Sequence, residues 1–394
     1  MKLIKLSLFL LLAIFFSACH DNIEEVENKT LVEKTKTINL DNNDFLQLVP
    51  GEYKSLVEKM FPLLPSKKIT VDALAYNSTD PHGNEVIASG TVTYPSDIDI
   101  KGVIVCNHFS ISKNSEAPSE SMMTFEAAFA LLGYAVIQSD YIGFGATSDL
   151  THPYCHLESS AIQGIDMLHA SREHLESLNK IVDNKVIVVG YSQGGFSALA
   201  FQKMAETYYA GDILIDKVYS GAGPYDLYGT YQDMIKSDYT GYPCSVPYLF
   251  IGLDYGDNLD LDFSKLFKEP ILSRYDELYN SKQYTLPEIN KFLNTTSIKS
   301  MLHDDVYAQG NEELEKLLES MKRNSLIDWT PKSEIVLYHS KDDTYVPYKN
   351  SVTAYESFKK QGCKVTLIER KGDHVSNGSS FYIYIMKELL GLKF

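Results

Sequence analysis

Residues 185 to 200 read KVIVVGYSQGGFSALA, and the serine in their midst, Ser192, is flanked by Gly190, Gly194 and Gly195. The β-branched run Lys185 to Gly190 reads as a buried strand, and Gly194 to Tyr208 reads as the helix that follows it. Glycine weakens a helix by about 1 kcal/mol relative to alanine. Glycines crowded at this junction therefore need a geometric reason. A tight strand-to-helix turn supplies one: the serine at its apex is held in strained backbone geometry, and its neighbours must be small for the chain to pass. The stretch thus restricts the chain to folds in which a buried strand feeds directly into a helix and displays a hydroxyl at the carboxyl edge of a sheet.

The rest of the chain reads as such a sheet. KITVDALAYNS and NEVIASGTVTYP are alternating segments, an antiparallel pair joined at Asp80-Pro81-His82-Gly83. Strands are then expected at Val103 to Asn107, Tyr134 to Ser139, Lys185 to Gly190 and Lys217 to Ser220, with helices over Ser119 to Leu132, Leu157 to Leu178 and Gly194 to Tyr208 between them. This order implies an α/β fold with a mostly parallel sheet covered on both faces. Between Pro224 and Pro331 the alternation stops, and helices are expected over Ser264 to Ser281 and Asn311 to Asn324. The sheet pattern resumes with EIVLYHS, a helix from Tyr348 to Lys360, the strand KVTLIE and a last helix from Gly378 to Leu390. Residues 46–394 are therefore expected to form one domain, with 225–330 an inserted cap.

The N-terminus has a different logic. Lys2 and Lys5 precede an apolar run from Leu6 to Phe16 and the small residues Ser17-Ala18-Cys19, the n-region, h-region and cleavage site of an export signal over residues 1–18. The junction resembles the lipobox of bacterial lipoproteins, which implies that Cys19 becomes the lipid-modified N-terminus and anchors the protein to a membrane of the bacterial cell envelope. The outer membrane is the expected one, with the face left open. Residues 19–45 are read as a flexible tether, because His20 to Lys36 is polar and charge-rich. The net charge of −16 becomes more negative once Lys2 and Lys5 leave with the signal, which argues against nucleic acid as a partner. Cys106, Cys155, Cys244 and Cys363 are scattered without a CxxC pair, so a zinc site is not indicated, and three disulfide pairings remain open.

A serine hydroxyl needs a base to take its proton and an acid to orient that base. The stretch His339-Ser340-Lys341-Asp342-Asp343-Thr344-Tyr345-Val346-Pro347 resembles the HGxxDxxVP motif of the α/β-hydrolase superfamily. In that register Asp343 is the candidate acid and Asp342 its solvated neighbour. RKGDHVSNG then places His374, the candidate base, in the loop after the last strand, completing the chain order Ser, Asp, His. The resemblance also implies an oxyanion hole formed by the backbone N–H groups of Gln193, next to the nucleophile, and Ser110, in the loop Asn107-His108-Phe109-Ser110. Phe109 replaces a usual glycine there, and His108 is read as structural.

SDYIGFGAT, HPY (His152 to Tyr154), ESSAIQGIDML and SGAGPYDL are similar to the secreted lipase and esterase branch of that superfamily. The expected function is hydrolysis of carboxylic esters of small-molecule, lipid or glycan type through an acyl-enzyme, with no cofactor or metal required. Asp140 and the glycines of SDYIGFGAT are read as shaping the loop beside Ser192, Tyr141 as able to hydrogen-bond at an oxyanion but left outside the catalytic set, and the acidic run Asp254 to Asp262, which lacks the order of a calcium loop, as a solvated turn. Two alternatives stand: a serine peptidase of the prolyl-oligopeptidase kind, and a non-catalytic glycan- or lipid-binding envelope lipoprotein. Acyl length, alcohol and oligomeric state are not legible.

Overall fold

Strand β4 (Gly102–Asn107) shows how the molecule is layered. Val103 and Val105 point into one apolar core, beside Ile165 and Phe201. Ile104 and Cys106 point into the other, beside Phe129 and Phe381. A strand whose successive side chains are all buried must lie inside a sheet covered on both faces. The computed structural model describes residues 29–392 apart from 181 and 308–309, and places β4 in a nine-stranded sheet.

The other strands are β1 (Leu31–Asp41), β2 (Lys68–Thr79), β3 (Glu85–Pro95), β5 (Tyr134–Ser139), β6 (Lys185–Tyr191), β7 (Leu214–Gly221), β8 (Glu334–Ser340) and β9 (Val365–Arg370). Their order is β1-β2-β3-β5-β4-β6-β7-β8-β9. β1, β2 and β3 pair antiparallel, as do β3 and β5; every pairing from β5 through β9 is parallel. The β2–β3 hairpin turns where Asp80 accepts the N–H groups of His82 and Asn84 and Gly83 sits at φ +81°. Helices Leu157–Ser177 and Gln193–Tyr208 cover the first core, and the 3₁₀ segment Glu126–Leu132 with helix His374–Leu389 covers the second.

Four expectations about the elements are corrected. The tether read over 19–45 ends by Leu31, because β1 pairs along β2 and Thr37 donates to Asp72 at 2.5 Å. Its charges (Glu33, Lys34, Lys36) are exposed on an outer strand, where charge guards an unpaired edge. The helix expected over Ser119 to Leu132 is only the turn Pro118–Ser121, ended by Met122 in the left-handed region at φ 58°, and the chain resumes as a 3₁₀ segment at Glu126. The helix expected over Ser264 to Ser281 is interrupted by Pro270, which cannot donate a helical hydrogen bond, and begins only at Ile271. The last helix starts at His374 rather than Gly378, because Asp373 caps it by accepting the N–H of Ser376 at 2.9 Å.

Between β7 and β8 the described residues form helices and turns, chiefly Leu227–Ser237, Ser245–Asp257, Leu286–Leu293 and Glu312–Asn324. Asp257 is not a solvated acid. It accepts from Ser320 and Asn324, pairs with Arg323 at 3.1 Å and faces His156 at 3.6 Å, joining two of these helices to the N-terminus of the helix Leu157–Ser177. All four described cysteines carry free thiols, so none of the three pairings forms among them. No described helix is long and apolar enough to cross a membrane, and the export signal and Cys19 lie outside the described residues.

Candidate active site

The turn after β6 has the strain its glycines imply. Ser192 sits at φ 60°, ψ −123°, a region side-chain-bearing residues rarely occupy. Its N–H donates to the Gly221 carbonyl at 2.8 Å, and the helix begins at once with Gln193. A Cβ on Gly190 would overlap the Gly194 carbonyl, and one on Gly194 would overlap the Asn107 carbonyl oxygen. Each of these glycines is required by a backbone crossing.

Ser192, His374 and Asp343 form one hydrogen-bonded chain. Ser192 Oγ lies 2.9 Å from His374 Nε2, and His374 Nδ1 lies 2.6 Å from Asp343 Oδ2. An ionised carboxylate only accepts, so Nδ1 carries the proton and Nε2 is left to accept from the serine. Asp343 also accepts from His339 Nε2 at 3.2 Å and from the N–H groups of Tyr345 and Val346 at 2.9 and 3.0 Å. Burial alone would raise its pKa. The hydrogen bonds from His339 and His374 outweigh burial and hold the carboxyl well below the ordinary carboxylate range. Asp342 stays outside this chain and accepts the Gly372 N–H at 3.0 Å, which ties down the loop before His374. Tyr191 donates to the His374 carbonyl at 2.7 Å.

The loop after β4 lies beside the serine: Ser110 shares two cavities with Ser192 and His374, and its hydroxyl is 2.9 Å from that of Tyr154. His108 is buried and bonds within its own loop, Nδ1 to the Phe109 carbonyl at 2.7 Å, and burial lowers its pKa to about 4. Tyr141 donates to the His108 carbonyl at 3.1 Å, so it supports the loop from behind. Phe109 points outward and is half exposed, which accommodates a large side chain at the position of the usual glycine.

One buried histidine of the HPY stretch takes part unexpectedly. His152 Nδ1 donates to the Ile142 carbonyl at 2.7 Å, which leaves Nε2 to accept from the Gln193 side-chain amide at 2.8 Å. Burial, reinforced by the positive charge of Lys282, lowers its pKa to about 3 and keeps it neutral. Its position two residues before Tyr154 was the only signal in the sequence. The two cavities part at Ser192. One is apolar and roofed by Leu227, Tyr231, Val246 and Phe250 from the segment between β7 and β8. The other, about 350 Å³, runs along helix His374–Leu389 and the Phe109 loop. No group of three metal-ligating side chains occurs among the described residues.

A family model described as secretory lipase matches residues 119–380. The rice cell wall degrading esterase LipA of Xanthomonas oryzae shares 22% identity at a TM-score of 0.77, covering 92% of this chain and 97% of that one. Lipase A of Candida antarctica shares 16% at a TM-score of 0.67, covering 94% and 84% respectively. No curated protein matches the chain.

Proposed function

The chain belongs to the secretory lipase family and is a carboxylic ester hydrolase, and from that premise we propose that Ser192, His374 and Asp343 carry the reaction through an acyl-enzyme. Ser192 Oγ attacks the ester carbonyl as His374 Nε2 takes its proton. Asp343 holds the imidazole in the tautomer that leaves Nε2 basic, and stabilises the imidazolium that forms. The N–H groups of Gln193 and Ser110 hold the oxyanion. The alcohol leaves with the proton from His374, and water, activated by the same imidazole, releases the acid.

The single observation behind this reading is the chain of contacts at 2.9 and 2.6 Å beneath two cavities that meet at the serine. The segment 225–330 serves as a cap, and its apolar residues line the acyl pocket. Family membership agrees with export, and we include Cys19 as a lipid attachment site at the envelope.

The test uses p-nitrophenyl esters of graded acyl length and a proline-linked chromogenic amide, with protein lacking residues 1–19 and its Ser192→Ala variant. Ester cleavage that falls by at least about 10⁴-fold in the variant is expected. Preference for the amide would favour a peptidase. Failure to cleave either, together with no labelling of Ser192 by a fluorophosphonate, would refute catalysis at this site and favour a binding protein.

A further inference from the structure

The loop that carries Ser110 does not hold itself in place. Among the described residues no backbone-to-backbone hydrogen bond involves residues 109–112, so groups from elsewhere fix where the Ser110 N–H points. Three tyrosine hydroxyls grip it: Tyr141 donates to the His108 carbonyl at 3.1 Å, Tyr154 pairs with the Ser110 hydroxyl at 2.9 Å, and Tyr248 donates to the Ile111 carbonyl at 2.8 Å. Tyr141 and Tyr154 follow β5, whereas Tyr248 stands on helix Ser245–Asp257, between β7 and β8. Farther along, Ser112 donates to the Tyr284 carbonyl at 2.7 Å, and the Asn114 N–H to the Lys282 carbonyl at 3.0 Å. The segment between β7 and β8 thus reaches the loop at successive points.

Tyr154 and Tyr248 act as one unit. Their rings stack with centroids 4.5 Å apart and planes 14° from parallel, an attractive arrangement for aromatic side chains. The helix can approach this closely because Gly252, one turn beyond Tyr248 on the same face, has no side chain: a Cβ there would overlap the Tyr154 backbone nitrogen. Both rings are buried, and burial pushes both phenols well above their ordinary pKa, so they stay protonated donors. The Cys155 thiol beside Tyr154 is a weak acceptor, whereas the Ser110 oxygen is a good one. A phenol also donates more strongly than an aliphatic hydroxyl, so the bond runs from Tyr154 to Ser110. We propose that Tyr154 and Tyr248 are positioning residues of the oxyanion hole, and that the segment between β7 and β8, through Tyr248, completes that hole as well as roofing the acyl pocket. The effect falls on the transition state, because the donors count most once the substrate oxygen is negative. This role rests on Ser192 as nucleophile and the Ser110 N–H as oxyanion donor, as described above.

The experiment measures kcat and KM for p-nitrophenyl butyrate, and inhibition by butylboronic acid, whose serine adduct is tetrahedral, with active sites counted by fluorophosphonate labelling. The variants are Tyr154→Phe, Tyr248→Phe, Ser110→Ala, the double Tyr154→Phe/Ser110→Ala, and Tyr279→Phe as control. Tyr279 stacks on Tyr248 at 5.2 Å and donates to the Cys244 carbonyl at 2.9 Å, so Tyr279→Phe loses an equivalent buried bond that does not reach the loop. In Tyr154→Phe and Tyr248→Phe kcat per active site is expected to fall about tenfold with KM little changed, less than the about 10²–10³ lost with a whole donor. Butylboronic acid should bind more weakly in proportion, and Tyr279→Phe should stay within about twofold of wild type. Tyr154→Phe and Ser110→Ala break the same bond, so the double variant should be no slower than the slower single. A merely structural role would lower Tm and the labelled fraction and leave kcat per site and boronate affinity unmoved. Wild-type kcat in Tyr154→Phe and Tyr248→Phe overturns the proposal, as does an equal loss in Tyr279→Phe or a double variant whose loss is the product of the singles. If Tyr248→Phe fails to fold, Tyr154→Phe decides alone. Failure of the wild type to cleave any ester would instead overturn the Ser192 reading.

Discussion

Gly194→Ala tests the account of the elbow most directly, because two effects of the substitution have opposite signs. Residue 194 lies in the first turn of helix Gln193–Tyr208, where alanine should stabilise by about 1 kcal/mol on propensity alone. The added Cβ, however, would overlap the Asn107 carbonyl oxygen and lie 2.8 Å from both the Asn107 carbonyl carbon and the His108 oxygen. Those atoms are backbone of the loop that carries Ser110, so no flexible side chain can yield. Restoring ordinary contact requires a shift on the order of 1 Å between elbow and loop. Overpacking of this kind costs about 1–3 kcal/mol, which exceeds the propensity gain.

The catalytic cost is larger, because the displaced parts are the two proposed to hold the oxyanion donors, Gln193 and Ser110. Lengthening one donor's hydrogen bond by about 1 Å removes most of its effect, and losing one donor costs about 10²–10³ in kcat. The assay is p-nitrophenyl butyrate hydrolysis with urea unfolding in parallel, and Gly211→Ala, whose Cβ would meet nothing within 4 Å, is the control. A Gly194→Ala enzyme with kcat within about threefold of wild type would refute the argument that backbone crossing dictates glycine there.

Two further outcomes follow from buried contacts. His152→Phe removes the acceptor of the Gln193 amide, leaving a buried donor unmatched at a cost of about 1–3 kcal/mol; kcat for p-nitrophenyl butyrate should fall about tenfold with KM little changed, and an unaltered kcat would show that Gln193 needs no such support. Asp257 is pulled down to about 2 by His156, Ser320 and Arg323, although burial pushes it up. A depressed carboxylate contributes stability that is present above its unfolded pKa, near 3.9, and lost as pH falls toward 2, here on the order of 2 kcal/mol. Asp257→Asn should therefore lower Tm at pH 6 and flatten the fall of Tm between pH 5 and 3, and a variant with the wild-type slope would show that this ion cluster does not hold its helices to the core.

What was legible in the sequence was local. The apolar runs that became β4 to β8 are buried on both faces wherever they are placed, so their type could be read without a partner. The choice of Asp343 over Asp342 depended on register against Val346 and Pro347, and the structure gives Asp343 the bond to His374 and Asp342 the bond to Gly372. By contrast the charges of β1 read as solvated tether, and only pairing with β2 makes it a strand. The last helix began earlier than its apolar pattern suggested because a cap, Asp373, outranks periodicity at a helix start.

The illegible residues share a physical cause. Glu126 stands at the head of FEAAFALL, where an acid in the first turn ordinarily faces water; it is buried because the helix carrying His374, far along the chain, closes over it. His152 reads as one histidine among ten, and its neutrality follows from a carbonyl at Ile142 and a lysine at position 282. Asp257 looked solvated because its partners come from Ser320, Arg323 and Asn324. The atoms that perform a reaction stand on strand ends and turn motifs, which short stretches encode. The walls that select a substrate are assembled from segments that meet only in the folded chain, so chemistry is legible from motif order while selectivity depends on tertiary contact.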